Sequence, residues 1–360
     1  NASVDPSTRC TAFWVPGRVE VMGKHTDYCG GCSLLCAVSK GFAVVSADRT
    51  DSSLRVLATF ELSGGEDEAT VPLDGHQGGE ELPDGWSRYP AACARRLSRN
   101  FGITLGVDLA LSCDLPEASG MSSSSAVVIL TFLSLAARNH LISETKFVSS
   151  FPSPEELCHY LGCIENGQDC GPGLPGDNGV GTFGGSEDHT AIMLCEPNQL
   201  RQYSFCPTAL EAVIPFPSSE WLMLIAVSGA TAQKGAERLK DYNDAAMLAR
   251  HSAQAANNDT PATLASVVRR VASDLSLSPF DKKVREAIKT SIAAKDDGTY
   301  KEDAPKGSLV RRFEQFFEES EVLVPKVGTA FNTTDGPALG LLVCRSQELT
   351  ETHLRNTLEE

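Results

Sequence analysis

The chain has 360 residues and a mass of 38.4 kDa, a length that suits two domains or one large one. Its 41% apolar and 22% charged residues are enough to fill real cores. A formal charge of −16 argues against nucleic-acid or anionic-membrane partners, because phosphate surfaces need a basic face.

Twelve cysteines fall at irregular spacings, unlike those of a disulfide-stapled miniprotein. Cys29, Cys32 and Cys36 form the one tight group, and no second pair with histidines follows to make a zinc site of it. No signal-peptide pattern opens the chain, and no apolar run reaches the ~18 residues of a membrane span. A cytoplasmic protein with reduced thiols is expected. The chain opens on Asn1 rather than Met, so trimming or processing is expected too.

In chain order, Phe13 to Leu57 reads as strands, broken at Asp27–Gly31 and Asp48–Ser53. Residues 64–85 are acidic and Gly-rich, a loop flanking one strand over Ala69–Leu73. Trp86–Arg99 is helical, with Tyr89, Cys93 and Leu97 on one face; Leu105–Cys113 alternates as a strand; Ser122–His140 and Pro154–Asn166 are helices. Gly167–Gly185 is a loop longer than most connections in a compact domain. Thr190–Leu194 and Leu222–Val227 are expected as strands. Ala232–Ala256, Asp259–Leu275, much of Lys282–Phe317 and Leu339–Glu360 are expected as helices. The fold class is α+β, α-richer in its second half, with no internal repeat.

Three stretches carry chemistry. Arg18 to Tyr28 holds Arg18, Lys24, His25, Asp27 and Tyr28 within eleven residues, fed by an alternating apolar run and flanked by glycines. That density of polar groups beside a strand suits a small ligand rich in hydroxyls; the plain alternative is a charged surface hairpin. Next, Leu115–Ala126 joins a strand to the apolar helix and sets Ser122, Ser123, Ser124 and Ser125 at the helix start after Gly120. Orphan backbone N–H groups, hydroxyls and the positive dipole end make an anion site suited to phosphates, which simple N-capping by one serine does not require.

The third stretch, Gly179–Thr190, contains Gly-x-Gly-x-x-Gly, but a loop precedes it and a strand is expected after it, so it is not a dinucleotide fingerprint. A P-loop fails at Gly17–His25, where five residues separate the glycines and His25 stands in the Ser/Thr position. No Gly-x-Ser-x-Gly elbow supports a Ser/His/Asp hydrolase.

The first stretch resembles the galactokinase signature of the GHMP family of small-molecule kinases, Gly-Arg-x-Asn-x-x-Gly-Glu-His-x-Asp-Tyr-x-Gly-Gly. Gly17, Arg18, Gly23, His25, Asp27, Tyr28, Gly30 and Gly31 match, while Glu20 replaces Asn and Lys24 replaces Glu. The serine run resembles the family's ATP loop, Pro-x-Gly-x-Gly-Leu-Ser-Ser-Ser-Ala. Pro116, Gly120 and Ser122–Ser124 match it; Ala118, Met121 and Ser125 depart from it.

The resemblance implies a two-domain fold with the active site in the cleft, ATP and a sugar as substrates, and Mg²⁺ on Ser123 and Glu165. It implies Asp188 as the catalytic acid–base residue, with Arg18 holding it ionised and neutralising the moving phosphoryl group. Lys24, His25, Asp27 and Tyr28 would then hold the sugar, and Tyr242 would line its pocket. The expected division is 1–195 and 196–360. The family's C-terminal Gly-rich motif is not found in this sequence, so the second unit is expected to be incomplete.

Since Lys24 would sit at the sugar's C6, a uronic-acid kinase stands beside a galactose kinase. A sugar- and ATP-binding sensor without turnover and a cysteine-based metal protein are the other classes.

Overall fold

The computed structural model describes residues 9–60, 65–73, 81–116, 120–226, 236–298 and 305–356. Ala118 and the expected segments around 227–235 and 357–360 lie outside these.

The fold starts from two long antiparallel strands, β1 (Cys10–Met22) and β2 (Cys32–Asp48). Between them Asp27–Cys29 forms a single 3-10 turn, so the polar stretch is the β1–β2 connection. Gly23 must be glycine: its φ is +124° and an added Cβ would lie 2.6 Å from Ser33 Cα. Strands β3 (Ser53–Phe60), β4 (Gly65–Pro72) and β5 (Val107–Cys113) follow, with β6 (Gln199–Ser204) and β7 (Ala209–Pro215) much later. They make a seven-stranded sheet in the order β4-β3-β5-β2-β6-β7, with β1 on the other edge of β2; only β3 and β5 run parallel.

Helices α1 (Arg88–Phe101), α2 (Ser123–Arg138), α3 (Thr145–Ser150), α4 (Pro154–Asn166) and α5 (Glu187–Leu194) come between β4 and β6. Their apolar faces close the first core with Val15, Phe42, Val56 and Leu109 of the sheet. Helix α4 starts on a full capping box, Ser153 with Glu156, and Pro154 at its first position. Its end is Gly167 at φ +77°.

The second half is helical: α6 (Ala236–Ala256), α7 (Leu264–Leu275), α8 (Lys282–Ala293), α9 (Ser308–Phe316), a π-helical stretch over Phe317–Leu323, α10 (Val324–Asn332) and α11 (Gly336–Leu349). Helices α6 to α9 share a core that takes in Cys29 from the 3-10 turn. Neighbouring residues of β2 then face opposite ways, as a pleated strand requires. Leu34 packs with Leu323, Val324 and Val327, while Leu35 packs with Ala191, Tyr203 and Phe205.

The α+β class stands, and the early strands and helices fall close to their expected places. Three local expectations differ. Thr190–Leu194 is the end of α5, not a strand. Four apolar residues after Thr190 are too few to tell the two apart, and Glu187 and Asp188 in the first turn favour the helix dipole. Residues 222–226 form no strand; Leu222 and Leu224 are 80% exposed, with no partner strand beside them among the described residues. Strands β6 and β7 and helices α3 and α10 were not anticipated. The sheet continues through β6 across residue 195, while the first core draws only on residues before it.

Candidate active site

Arg18 leaves β1 at a bulge and points into a cavity of about 530 Å³. Its Nε and a terminal nitrogen lie 2.7 and 2.6 Å from Asp188 Oδ1, and its other nitrogen donates to the Gly120 carbonyl at 3.0 Å. Arg18 therefore joins the α5 start to the loop before α2. Burial alone would weaken the guanidinium's charge, but Asp188, Glu187 and Glu20 outweigh it and raise its pKa. Burial would likewise raise the Asp188 carboxyl. Arg18, a hydrogen bond from Ser122 and His189 together hold it down at about 2.

The α2 start carries the serines. Ser122 takes a left-handed conformation at φ 55° as the helix N-cap, without a side-chain cap bond, and Ser122, Ser123 and Ser124 line the cavity. Ser125 differs: it is 1% exposed and its hydroxyl donates to Asp188 Oδ2 at 3.3 Å, so it steadies the carboxylate instead of offering a free hydroxyl. Phe42, Ala58, Trp86, Tyr89 and Leu111 give this end an apolar wall able to take a flat aromatic ring.

At the other end Asp27, buried in the 3-10 turn, lies against the backbone of Gly184–Glu187. Its Oδ2 accepts the Glu187 N–H at 3.3 Å, and a Cβ on Gly185 would overlap that oxygen. Burial raises Asp27 to about 6 despite backbone hydrogen bonds from Tyr28 and Glu187. Glu187 is buried too and raised well above the ordinary carboxyl, first by burial and then by Glu20 and Asp27; Ser33 donates to its Oε2 at 2.6 Å. Tyr242 of α6 closes the wall, its ring 5.0 Å from that of His25 and its hydroxyl beside Gly184. Asn243, next to it, ties α6 to the loop by bonds with Phe183 N–H and the Gly181 carbonyl.

His25 lines the cavity, with Nδ1 2.7 Å from the Tyr28 hydroxyl; burial, then Arg312 and Lys24, push it down to about 3, so the ring is neutral. Two expected sugar contacts point elsewhere. The Tyr28 hydroxyl bonds His25 Nδ1 and accepts from Arg312, and Tyr28 does not line this cavity. Lys24 sends its ammonium to Gln347 and Thr350, at 3.2 and 3.4 Å, because the chain turns at Gly23 toward α11. Its expected place at a sugar C6 is not where the side chain goes.

Glu165, on the last turn of α4, and Ser123 both line the cavity, and Glu165 Oε1 lies 3.3 Å from His189 Nε2. A hydroxyl and a carboxylate are hard oxygen donors, a set that fits Mg²⁺.

Sequence reasoning missed Glu187, Glu20 as a cavity wall, and Arg312. Adjacency to Asp188 pointed to Glu187. Nothing local pointed to Arg312, a buried cation donating to the His25 carbonyl at 2.6 Å across the fold. The Gly179–Gly184 run is followed by helix α5, but no strand precedes it, so it still fails as a dinucleotide fingerprint.

Comparison with known proteins points the same way. Residues 6–47 match the family model of the galactokinase galactose-binding signature, and residues 88–183 that of the GHMP kinases N terminal domain. The galactokinase of Bacillus subtilis (strain 168) is 31% identical over 129 residues, 36% of this chain and 32% of the relative. That of Lactiplantibacillus plantarum is 30% identical over 125 residues, 34% of this chain and 31% of the relative. The matched stretch thus spans about a third of the length of these curated relatives. The crystal structure of Lactococcus lactis galactokinase complexed with galactose shares the fold, with a TM-score of 0.62 at 18% identity, covering 96% of this chain and 76% of that one. Over these stretches the chain is similar to galactokinases and other GHMP kinases, and it shares their fold.

Proposed function

We propose that this chain is an ATP-dependent sugar 1-kinase of galactokinase type, moving the γ-phosphoryl group of ATP to the anomeric hydroxyl of galactose. The observation that carries this is the Arg18–Asp188 pair, which sits where a serine-rich helix start meets a pocket of buried acids. Phosphoryl transfer asks for positioning and charge stabilisation, and both halves of the cavity supply them.

The α2 N-terminus with Ser122, Ser123 and Ser124 would hold the nucleotide phosphates, and the apolar wall of Trp86 and Tyr89 the adenine. Ser123 and Glu165 would hold Mg²⁺, which supplies charge neutralisation at those phosphates. Asp27 would accept hydrogen bonds from ring hydroxyls, with His25 and Tyr242 walling the sugar.

A carboxylate at about 2 is a weak base, so Asp188 first orients the attacking hydroxyl. It receives the proton late, once bonding to phosphorus has made that hydroxyl acidic. Arg18 keeps Asp188 ionised and faces the charge of the moving phosphoryl group. The cleft would lie between a unit ending near residue 195 and a C-terminal unit that contributes Tyr242. A cytoplasmic location goes with ATP as substrate; no helix among the described residues is long and apolar enough to cross a membrane. The uronic-acid reading rested on Lys24, whose ammonium is engaged by α11 and the turn after it.

The test is ³¹P NMR of the product from ATP, Mg²⁺ and galactose, beside Asp188→Asn. Sugar 1-phosphate should form, and the variant should bind ATP while losing about 10²–10⁴-fold in turnover. A variant within about threefold of wild type, far from that scale, removes the role. Binding of both ligands with no product would make the chain a sensor.

A further inference from the structure

The three cysteines that cluster in the sequence do not form a metal group. Cys29 Sγ lies 3.1 Å from the Arg312 guanidinium, a cation, and Cys36 Sγ lies against the Met223 thioether. A different group does form, on α4 and the loop that follows it. His159, Cys163 and Cys170 bring one ring nitrogen and two sulfurs within 4.8 Å of one another.

We propose that His159, Cys163 and Cys170 form a binding site for a thiophilic divalent cation, Zn²⁺ in the first instance, that ties helix α4 to the loop leading into the active site. His159 and Cys163 are one turn apart on α4 and so share a face. Cys163 Sγ and His159 Nε2 are 3.7 Å apart. Zinc bonds of about 2.3 Å to sulfur and 2.0–2.1 Å to nitrogen at tetrahedral angles need edges of roughly 3.6–3.8 Å.

Cys170 comes back over Cys163 because Gly167 turns the chain at φ +77° and the loop is then pinned. Buried Arg96 donates to the Gln168 carbonyl at 2.6 Å, Cys170 N–H donates to the Leu174 carbonyl at 3.0 Å, and Gly176 N–H donates to Asp169 Oδ1 at 2.6 Å. The backbone is thus fixed on both sides of the third ligand before any ion arrives, which favours binding.

The charge also suits the place. Two thiolates and a neutral imidazole cancel a divalent cation, so a neutral unit would be buried. Cys163 is buried, while His159 and Cys170 are half-exposed, and His159 borders a cavity of about 190 Å³ with Asn166 and Gln168. Sulfur and imidazole donors set this site apart from the oxygen donors Ser123 and Glu165. From the same loop Val180 N–H returns to the Glu165 carbonyl at 2.7 Å, and Asn166 Nδ2 holds the Gly184 carbonyl at 2.8 Å, so an ion here would stiffen the frame behind Asp27.

The experiment titrates the reduced, chelator-stripped full chain with Co²⁺, followed by Zn²⁺. One equivalent of Co²⁺ should give thiolate-to-metal charge-transfer and tetrahedral d–d absorption, and Zn²⁺ should displace it. Cys170→Ser and His159→Gln, each checked for an unchanged circular dichroism spectrum, should weaken Co²⁺ binding by more than about tenfold, a loss that outer-shell changes alone can reach. Cys32→Ser should leave it as in wild type. Because Cys163 is buried, Cys163→Ser is read only alongside those two. No charge-transfer band in the reduced wild type, or one unchanged in Cys170→Ser, overturns the site. So does a Cys163–Cys170 disulfide in chain that binds no Co²⁺ after reduction, which would make the pair a redox couple.

Discussion

Arg18 directs two nitrogens at one oxygen of Asp188, Oδ1, while the Ser125 hydroxyl donates to Oδ2 at 3.3 Å. The carboxylate is therefore held asymmetrically. Its less strongly held oxygen is the one free to turn to a substrate hydroxyl. Arg18 offsets the burial that would otherwise raise Asp188, so the wild-type kcat should show no acid limb from Asp188 above about pH 4. In Arg18→Met the largest charge opposing burial is lost, Ser122 and His189 remain, and Asp188 rises. We expect kcat to fall at least ~10²-fold, the scale of one lost electrostatic donor, and its acid limb to move upward. A pH–rate profile of the variant checks this; a limb that does not move means that Arg18 does not set the ionisation of Asp188.

Asp27 and Glu187 behave in the opposite sense. Asp27 is raised to about 6, so the folded state holds a proton that the unfolded chain releases near pH 4. The stability this group contributes is full below about pH 4 and is lost as pH rises through about 6. A rise of this size corresponds to a loss on the order of 2–3 kcal/mol across that window. Asp27→Asn keeps an acceptor for the Glu187 N–H and removes the titration, so the fall in Tm between pH 5 and pH 7.5 should flatten. Its KM for sugar should rise while Mg·ATP binding is retained. An unchanged pH slope would place the titration on another group.

Much of this site was legible because its chemistry is local in sequence. The 3-10 turn of Asp27, the serine run at the α2 start and Asp188 each sit on a short segment whose residue types point to a role, whereas Glu187 beside Asp188 was not singled out. Side-chain direction was not legible. Lys24 and His25 are adjacent, yet one reaches α11 and the other the cavity, and that depends on Gly23 at φ +124° and on helices some 300 residues away. Strands β6 and β7 were missed for a related reason. Their burial patterns, mixed in polarity, make sense only once β6 lies beside β2 and β7 beside β6. The metal group escaped because Cys170 approaches Cys163 through a loop that Arg96 shapes.

A substitution at Ser123 should separate nucleotide binding from sugar binding. Its hydroxyl lies on the cavity wall at the α2 start, whereas Ser125 is committed to Asp188. Ser123→Ala should raise the KM for Mg·ATP with little change in that for sugar, by an amount corresponding to about 1–3 kcal/mol for one lost polar partner in a dry site. Ser125→Ala should instead lower kcat by loosening Asp188. Equal shifts in both KM values for Ser123→Ala, with a lowered Tm, would indicate damage to the helix start.

Lys24 tests whether a charge at a signature position is a charge at the ligand. A lysine there in place of the family's glutamate would favour a C6 carboxylate, since an ammonium only donates and charge-assisted hydrogen bonds are about twice as strong as neutral ones. The side chain is instead held by Gln347 and Thr350, two neutral acceptors on α11 and the turn after it. Bonds of that kind on a partly exposed ammonium contribute about 0.5–1.5 kcal/mol each at most. Lys24→Ala should therefore lower Tm slightly and leave kcat/KM for galactose within about threefold, a change of under 1 kcal/mol. The ratio of kcat/KM for galactose to that for galacturonate should be the same in wild type, Lys24→Ala and Lys24→Glu. If Lys24→Glu shifts that ratio about tenfold or more toward galactose, about 1.4 kcal/mol of discrimination, then Lys24 swings into the cavity when sugar binds. The uronic-acid reading would then regain its support.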